Sequence, residues 1–358
     1  MSWVSKQQDR ILKMAERLLA WYPSHARDLP WRKDQDPYHV WLSEIMLQQT
    51  RVEAVKGYYH RFLEALPKIS DLAEVPDDRL LKLWEGLGYY NRARNLKKAA
   101  IVLMEDFGGR FPKTYEEILS LPGIGEYTAG AIASICFDLP VPAVDGNVLR
   151  VYTRVMEDDS VIDKQSTKKA VAEALEPAYK KANQSGMLTQ SLMELGATIC
   201  VPNGAPNCTE CPLNDVCLAR KHGSWEKFPV RQEKKGRQLV DMTVFVLRCE
   251  DKIAIRKRQQ KGLLHGMWEL PNVESILIEQ QAADQATAWK VTPEHLQMKH
   301  QYTHIFTHKE WRMTAYYLSC LQMSGEFEWV TMEELEKDMA VPSAFRPFIE
   351  LLRKDEGK

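Results

Sequence analysis

A proline and two glycines separate two helix-like segments near the middle of the chain, in the run LPGIG at residues 121–125. One segment ends near Ser120 and the next runs from about 126 to 137, so the run predicts a helix, a tight hairpin and a second helix. Glycine permits positive φ and close approach to a ligand, and the free N–H groups at a helix start attract anions. Gly123 and Gly125 are therefore candidate phosphate contacts, although ordinary glycine-proline turns between helices are also common.

A carboxylate follows this hairpin by twenty residues. It is Asp145, in the segment VDGNV at residues 144–148. The proline-containing loop before it predicts that Asp145 lies at the start of another helix. There it could serve as an N-cap or as a catalytic group.

The composition predicts a folded protein with two or three domains. The 358 residues are 44% hydrophobic and include only 18 Gly and 18 Pro, as in globular proteins. No export signal or bilayer-spanning run is evident, so we expect a cytoplasmic protein. A formal net charge of −1 is too weak to steer the chain to a polyanion, so any phosphate contacts would come from a local patch and from backbone N–H groups.

Two segments near the N-terminus have helical spacing. Residues 6–22 carry apolar side chains at that spacing and predict an amphipathic helix. Residues 40–50, VWLSEIMLQQT, place Glu44 among apolar residues. Burial there would raise the pKa of Glu44 and suit it to act as a general acid, whereas the alternative is a solvent-facing helix glutamate.

An aromatic, glycine-rich turn lies further along, in the run WEGLGYY at residues 84–90, with Arg92 and Arg94 just after it. Rings beside glycines and arginines are typical of a loop that inserts into a base stack while guanidinium groups hold phosphates. Tyr89 is the candidate for insertion. The alternative is a structural turn whose aromatics belong to the core.

Four of the seven cysteines lie close together, in the pattern C-x7-C-x2-C-x5-C. In a chain without an export signal this pattern indicates a metal site rather than disulfides. Zinc and an iron–sulfur cluster are both compatible with four thiolates. The candidate ligands are Cys200, Cys208, Cys211 and Cys217.

The pattern changes from helical to strand-like after residues 226–238, a charged stretch that predicts a linker. Residues 242–247 and 253–258 alternate as strands do and are separated by a turn. The run GLLHGMWELP at residues 262–271 resembles part of a Nudix fold. The helix expected after it lacks an acidic array for magnesium, so this domain is expected to bind a ligand without hydrolysing it.

The hairpin, the VDGNV segment and the run from LPWR to MLQQT together resemble the helix-hairpin-helix glycosylases of base-excision repair, the endonuclease III superfamily. Within it they are similar to the adenine DNA glycosylase (MutY-type) branch. The resemblance covers nearly the whole chain and implies a mainly α-helical glycosylase with an iron–sulfur cluster domain, followed by an α+β Nudix-like domain. The implied domains are a hairpin domain at 28–137, a cluster domain at 1–27 with 138–225, a linker at 226–238 and a Nudix-like recognition domain at 239–358.

This resemblance implies a monomeric, nucleoid-associated enzyme that removes a flipped adenine mispaired with 8-oxoguanine or guanine in duplex DNA. Glu44 would protonate adenine, and Asp145 would stabilise the oxocarbenium-like sugar or bond to it covalently. Tyr127 and Asn147 would hold the sugar and the carboxylate. The residues implied to contact DNA are Arg32, Leu47, Gln49, Thr50, Tyr89, Gly123, Gly125, Gln190, Phe306, Thr307 and His308.

Three positions depart from the patterns of this superfamily or of its branches. The family holds a [4Fe-4S] cluster with a first cysteine gap of six residues, and a loop absorbs the extra residue found here at little cost. Thr307 replaces the serine of an F-S-H recognition loop and keeps the hydroxyl, although an ordinary β-turn is the alternative at this point. Bifunctional members carry a lysine where Tyr127 stands, and a phenol cannot form an imine, so we expect an enzyme without strong lyase activity.

Two other functions remain open from the sequence. One is a bifunctional glycosylase/lyase that acts on oxidised pyrimidines, as endonuclease III does. The other is a non-catalytic DNA-binding module that uses the hairpin only for phosphates. The Nudix-like domain favours adenine excision over both.

Overall fold

The computed structural model describes three stretches of the chain, residues 3–233, 236–259 and 262–356. The flanking and intervening positions, which include residues 234 and 235 of the predicted linker, lie outside the described residues. The chain forms two compact units. The first comprises Met1–Glu74 and Asn95–Glu233, and the second comprises Val75–Arg94 and Lys234–Lys358.

Helices make up the regular structure of residues 3–222. The amphipathic helix predicted at 6–22 is confirmed and is somewhat longer than predicted. The helices are α1 (Trp3–His25), α2 (Pro37–Leu47), α3 (Val52–Ala65), α4 (Ile69–Glu74), α5 (Asp77–Leu83), α6 (Asn91–Phe107), α7 (Tyr115–Ser120), α8 (Glu126–Phe137), α9 (Gly146–Met156), α10 (Gln165–Ala182), α11 (Ser185–Thr198) and α12 (Leu218–His222). None of the helices in the described ranges combines the length and apolar character needed to cross a membrane.

The predicted helix, hairpin and helix are confirmed by α7, the LPGIG turn and α8. Thr114 caps α7 by accepting a hydrogen bond from the Glu117 N–H. Gly123 takes a φ of +75°, which a residue with a side chain adopts only with strain. Gly125 is the N-cap of α8, so the N–H groups of the first turn of α8 are not used within the helix.

The core of the first unit lies where α1, α9, α10 and α11 meet. Leu18, Val148, Leu192 and Tyr179 are among its completely or almost completely buried side chains. Burying an aliphatic side chain of this size contributes about 1.5–3 kcal/mol. Because α9 is part of this core, its N-cap residue, Asp145, is held on a rigid element.

The second unit contains a mixed β-sheet with the strand order β3-β2-β1-β6-β5, in which β4 also pairs with β1 and β7 with β2. The two strands predicted from residues 242–247 and 253–258 are confirmed as parts of β1 and β2. The strands are β1 (Gln238–Cys249), β2 (Lys252–Lys257), β3 (Trp268–Glu269), β4 (Asn272–Val273), β5 (Pro293–Ile305), β6 (Lys309–Cys320) and β7 (Glu328–Thr331). The accompanying helices are α13 (Glu279–Ala288), α14 (Met332–Asp338) and α15 (Arg346–Glu356).

Two pairings in this sheet determine where its loops lie. Strands β1 and β6 are parallel and remain in register over eleven residue pairs. Strands β5 and β6 form an antiparallel hairpin in which Ile305 is opposite Glu310. The three residues of the predicted recognition loop, Phe306 to His308, therefore form the tip of this hairpin.

Candidate active site

A cavity of about 680 Å³ opens within the first unit between α2, α8, α9 and α11. Most of the sequence-predicted residues from these helices and the adjoining loops meet in it. Those that line the cavity are Arg32, Glu44, Leu47, Gln49, Thr50, Tyr127, Asp145, Asn147 and Gln190.

Glu44 lies on α2, where Asp36 caps the helix and Pro37 occupies its first turn. Its side chain is buried, with 6% exposure, so the alternative of a solvent-facing glutamate is wrong. Burial raises the pKa of Glu44 to about 7, with the charge of Asp145 acting in the same direction. A hydrogen bond from Tyr127 and the positive charge of Arg32 oppose this rise. A carboxyl group with such a pKa can hold a proton near neutral pH and release it to a leaving group.

Tyr127 lies in the first turn of α8, directly after the hairpin. Its hydroxyl donates a hydrogen bond to Oε2 of Glu44. Burial, together with the charges of Glu44 and Asp145, raises the pKa of Tyr127 well above its usual value. The phenol is therefore a neutral donor that orients Glu44.

Asp145 is the N-cap of α9, as the sequence predicted. Its carboxylate accepts hydrogen bonds from the Val148 N–H at 2.7 Å and from Nδ2 of Asn147 at 2.7 Å. Burial raises the pKa of Asp145 above its usual value, and these two donors offset part of that rise. The two carboxyl groups thus have different environments, because Asp145 receives helix N–H donors that favour the charged form and Glu44 does not.

Two glycines allow other backbone segments to approach the Asp145 loop closely. A Cβ atom on Gly130 of α8 would lie 2.7 Å from the carbonyl oxygen of Pro142. A Cβ atom on Gly196 of α11 would lie 2.6 Å from the Cβ of Asn147. Neither contact is tolerable, so α8 and α11 can support this loop only with glycine at these positions.

Arg150 is a functional candidate that the sequence analysis missed. Its Nη2 donates to Oδ1 of Asn147 at 2.8 Å and to the Gly196 carbonyl at 2.8 Å. Its Nε donates to the carbonyl of Cys200 at 2.7 Å. Arg150 therefore connects the residue that orients Asp145 to the backbone of the first cysteine in the cluster. The available signal was an arginine one helical turn after Asn147 on the amphipathic helix α9.

A second missed group, Glu194, holds two arginines that line the cavity. The fully buried carboxylate of Glu194 binds Arg27 at 2.7 Å and Arg32 at 2.8 Å. Burial by itself would raise the pKa of Glu194, but the bonds and charges of the two arginines lower it below its usual value. Gln190, one turn earlier on α11, accepts a hydrogen bond from the Tyr22 hydroxyl at 2.5 Å.

The rim of the cavity is formed where α2 ends. Gln49 has a φ of +59° and is exposed. The Thr50 hydroxyl donates to the Gln48 carbonyl at 3.4 Å, and Leu47 is half-buried beside it. Gln49 is thus held in a conformation that directs it outward from the helix end.

Four of the predicted DNA contacts lie in the second unit. Tyr89 is 45% exposed with a φ of +47°, and its hydroxyl forms a hydrogen bond with that of Thr307. Thr307 and His308 are exposed at the hairpin tip. Phe306 instead packs inward against Trp311, with ring centroids 4.8 Å apart.

The four clustered cysteines line one small pocket between α9, α11 and α12. Nη1 of Arg154 donates to Sγ of Cys200 at 3.3 Å and to the Val201 carbonyl at 3.1 Å. The Leu213 N–H donates to Sγ of Cys211 at 3.4 Å. In the stretches that the structure describes, no group of three or more His, Cys, Asp or Glu side chains has the geometry to hold a metal ion. The donor set nonetheless fits a thiolate-ligated cofactor, because four thiols share one pocket and two of their sulfurs accept N–H donors.

Two family models match the chain. Residues 42–179 match the HhH-GPD superfamily of base excision DNA repair proteins. Residues 243–351 match the NUDIX domain. The first match contains Glu44, Tyr127, Asp145 and Asn147, and the second contains the β5–β6 hairpin.

Two adenine DNA glycosylases align with most of the chain. The adenine DNA glycosylase of Buchnera aphidicola subsp. Schizaphis graminum is 34% identical over 266 residues, which are 74% of this chain and 76% of that protein. The adenine DNA glycosylase of Homo sapiens is 32% identical over 390 residues, covering 88% of this chain and 70% of that protein.

Two solved structures resemble more than half of the chain. A thermostable thymine-DNA glycosylase has 29% identity and a TM-score of 0.53, and the match covers 60% of this chain and 98% of that one. Endonuclease III trapped in a covalent intermediate with DNA, an estranged-adenine complex, has 25% identity and a TM-score of 0.51, with 61% and 98% covered.

Proposed function

The chain belongs to the adenine DNA glycosylases of the HhH-GPD superfamily, and from that membership we propose that it hydrolyses the N-glycosidic bond of adenine mispaired with 8-oxoguanine or guanine in duplex DNA. The observation that carries the proposal is the meeting of Glu44 and Asp145 in one cavity with different environments. An acid and a carboxylate on the two sides of the scissile bond are what this reaction requires.

Glu44 and Asp145 divide the chemistry between them. Breaking the bond places negative charge on the departing base and positive charge on the sugar. Glu44, with a pKa raised to about 7 by burial, donates a proton to adenine, and the Asp145 carboxylate stabilises the sugar cation or forms a covalent adduct with it. Water then completes the hydrolysis and leaves an abasic site.

Tyr127 and Asn147 position the two reacting groups. Tyr127 holds Glu44 through its hydroxyl, and Asn147 holds Asp145 at 2.7 Å. Arg150 and Gly196 in turn fix Asn147. We propose that the adenine reaches these groups by flipping out of the duplex, because the groups lie in a cavity between helices that a stacked base could not enter.

DNA would be held mainly through backbone groups and the rim of the cavity. The hairpin around Gly123 and Gly125 presents free N–H groups at the start of α8 to a phosphate. Gln49 and Thr50 at the end of α2, with Leu47 beside them, would contact the strand next to the flipped nucleotide. The enzyme acts as a monomer in this proposal.

The hairpin tip of the second unit would read the base opposite adenine. 8-Oxoguanine differs from guanine by an oxygen at C8 and a proton on N7. The exposed Thr307 hydroxyl at this tip can accept a hydrogen bond from that proton. Tyr89, whose hydroxyl is hydrogen-bonded to that of Thr307, would insert beside the same base. His308 would contact the adjoining DNA backbone.

We expect base release without strand cleavage on a duplex that carries adenine opposite 8-oxoguanine. Tyr127 occupies the position where a lyase has its attacking amine, and a phenol cannot form an imine. Strand breaks should therefore appear only after hot alkali. The measurement is gel analysis of a labelled duplex before and after alkali treatment.

Three comparisons complete this experiment. Adenine opposite guanine should react more slowly than adenine opposite 8-oxoguanine, and thymine glycol should not react. Lys168 lines the cavity, so Lys168→Met tests whether any trace of cleavage comes from a chance adduct. Equal rates of strand breakage with and without alkali would contradict the monofunctional assignment, and release of thymine glycol alone would contradict the substrate.

Cys200, Cys208, Cys211 and Cys217 would hold a [4Fe-4S] cluster in this proposal. Such a cluster, when bound, ties distant parts of the chain together and has a tunable reduction potential. Arg154 supports the assignment because it donates to Cys200 Sγ at 3.3 Å. Its bond to the Val201 carbonyl also holds the start of the longer first cysteine loop.

We expect the purified protein to be brown, with about four iron atoms per chain. Cys200→Ser should lower the iron content and increase the rate of iron loss to a chelator, because one thiolate ligand is removed. Cys136→Ser is the matched control, since Cys136 lies on α8 and does not line the cysteine pocket. A colourless protein isolated without air, with one zinc ion per chain, would contradict the cluster.

A further inference from the structure

Residues 75–94, which carry Tyr89, belong to the compact unit formed by the C-terminal sheet. The sequence analysis placed them in the hairpin domain at 28–137. The Tyr89 segment, defined as Val75–Arg94, is joined to the remainder of that unit by side chains at both of its ends and in its middle. The contacts that hold the segment include side chains, such as Glu85, that touch neither the cavity nor the exposed Tyr89 ring.

Glu85 makes the most concentrated of these contacts. Its side chain is only 13% exposed. Oε1 accepts a hydrogen bond from the Val341 N–H at 3.0 Å and lies 3.4 Å from Nη2 of Arg346. Oε2 pairs with Lys82 at 2.9 Å, and Lys82 also donates to the Met339 carbonyl at 2.8 Å. A mostly buried carboxylate with three donors has a well-defined position.

The two ends of the Tyr89 segment are attached separately. Near its start, Asp78 pairs with Lys257 at 2.7 Å. At its end, Nη2 of Arg94 donates to the carbonyl of His265. The segment is therefore held at three places along its length as well as at the Tyr89 hydroxyl.

Hydrogen bonds link the two ends of the turn between Glu85 and Tyr89. Nε1 of Trp84 donates to the Gly88 carbonyl at 3.1 Å. The guanidinium of Arg92 donates to the same carbonyl at 3.1 Å and lies over the Tyr89 ring at 5.7 Å. A displacement of Glu85 would move Tyr89 with it, because Trp84, next to Glu85, and Arg92 both donate to the Gly88 carbonyl, next to Tyr89.

We infer that Glu85, held by Arg346 and the Val341 N–H, is a positioning residue that keeps Tyr89 in register with Thr307 and so contributes to discrimination between 8-oxoguanine and guanine opposite adenine. The inference rests on the proposed function. The inference extends the proposed function by assigning the Tyr89 segment to the unit that reads the opposite base. Glu85 itself touches no base and takes no part in bond cleavage.

The test uses Glu85→Gln and Arg346→Gln in the full-length protein. The measured quantity is the ratio of kcat/KM for adenine opposite 8-oxoguanine to that for adenine opposite guanine. We expect each variant to lower this ratio about fivefold to tenfold, because recognition falls steeply when a contacting group is displaced. The rate on adenine opposite guanine should stay close to that of wild type, since that pair gains little from Thr307. Arg346→Lys, which keeps the charge, should retain most of the ratio.

Glu53→Gln is the matched control. Glu53 pairs with Lys56 at 2.9 Å and a spacing of i,i+3, as Glu85 pairs with Lys82, but it lies on α3 in the other unit. Hydrogen exchange of the free protein adds a readout that needs no substrate. The amides of Trp84 to Arg92 should exchange faster in Glu85→Gln than in Glu53→Gln.

The outcomes separate the inference from the proposed function. A wild-type enzyme that releases no adenine would overturn the proposed function, and one that releases it without preference for 8-oxoguanine would overturn the proposed reading of the opposite base together with the discrimination role. A wild-type preference that both Glu85→Gln and Arg346→Gln retain in full would overturn the inference alone. Unchanged exchange at Trp84 to Arg92 would overturn the anchoring on which the inference depends.

Discussion

Asp145→Asn is expected to lower adenine release on the order of 10³-fold or more, because it removes the negative charge that stabilises the sugar cation. Asparagine is isosteric and is as good an N-cap as aspartate. Its Oδ1 can still accept from the Val148 N–H, so α9 should fold normally. The measurement is single-turnover release of adenine opposite 8-oxoguanine, with enzyme in excess over the duplex.

Asp163→Asn is the control for this variant. Asp163 lines the same cavity, but it is exposed and accepts from the Gln232 N–H at 2.9 Å. Its substitution changes the charge at the cavity mouth without reaching the sugar. The melting temperature of either variant should move by less than about 2 °C, roughly the shift that 1 kcal/mol produces in a chain of more than about 250 residues. Near-wild-type release by Asp145→Asn would refute the role of Asp145.

Local patterns in the sequence were sufficient to predict several elements and their types. Alternation predicted β1 and β2, and the LPGIG run predicted the hairpin before α8. The N-cap position of Asp145 was also predicted from a local pattern, because a proline-rich loop followed by a helical segment marks where the helix starts. These are short-range properties, determined by neighbours within about one turn of helix.

The meeting of Glu44 with Asp145 could not be predicted from spacing, because about a hundred residues separate them. It depended on the resemblance to a family. The same limit explains why Arg150 and Glu194 were missed. Each acts through partners that are distant in sequence, as when Arg150 binds the carbonyl of Cys200 and Glu194 binds Arg27.

The position of the Tyr89 segment was missed for a related reason. The sequence is helical before, within and after residues 75–94, and nothing in it indicates that these residues belong to the second compact unit. Their place is set by side-chain contacts such as Glu85 with Arg346. Each half of such a contact is an ordinary charged residue when the sequence is read alone.

Glu44→Gln is expected to lower adenine release about 10²- to 10⁴-fold, the usual contribution of a positioned general acid. Glutamine keeps the shape of the side chain and can still accept the hydrogen bond from Tyr127. It has no acidic proton to give to the base, however. The loss should therefore appear in the rate of the chemical step and not in the affinity for DNA.

The pH dependence distinguishes the loss of an acid from a loss of shape. Glu44 acts in its protonated form, and burial raises its pKa to about 7. Wild-type kcat/KM should accordingly be high below pH 7 and fall about tenfold per pH unit above it, as the proton is lost. At low pH the rate should fall again when Asp145 becomes protonated, since Asp145 acts as the anion. In Glu44→Gln the alkaline fall should disappear, while the acid fall remains.

Glu126→Gln is the matched control for this profile. Glu126 is the neighbour of Tyr127 on α8, but it is exposed and pairs with Gln165 at 2.5 Å. Its substitution should leave both the rate and the alkaline fall unchanged. If Glu44 is the general acid, its substitution by glutamine removes the group whose loss of a proton causes the fall in rate near pH 7. A fall that persists in Glu44→Gln would therefore assign the general acid to another residue. In that case Asp145 would stabilise the sugar cation without Glu44 as its partner acid.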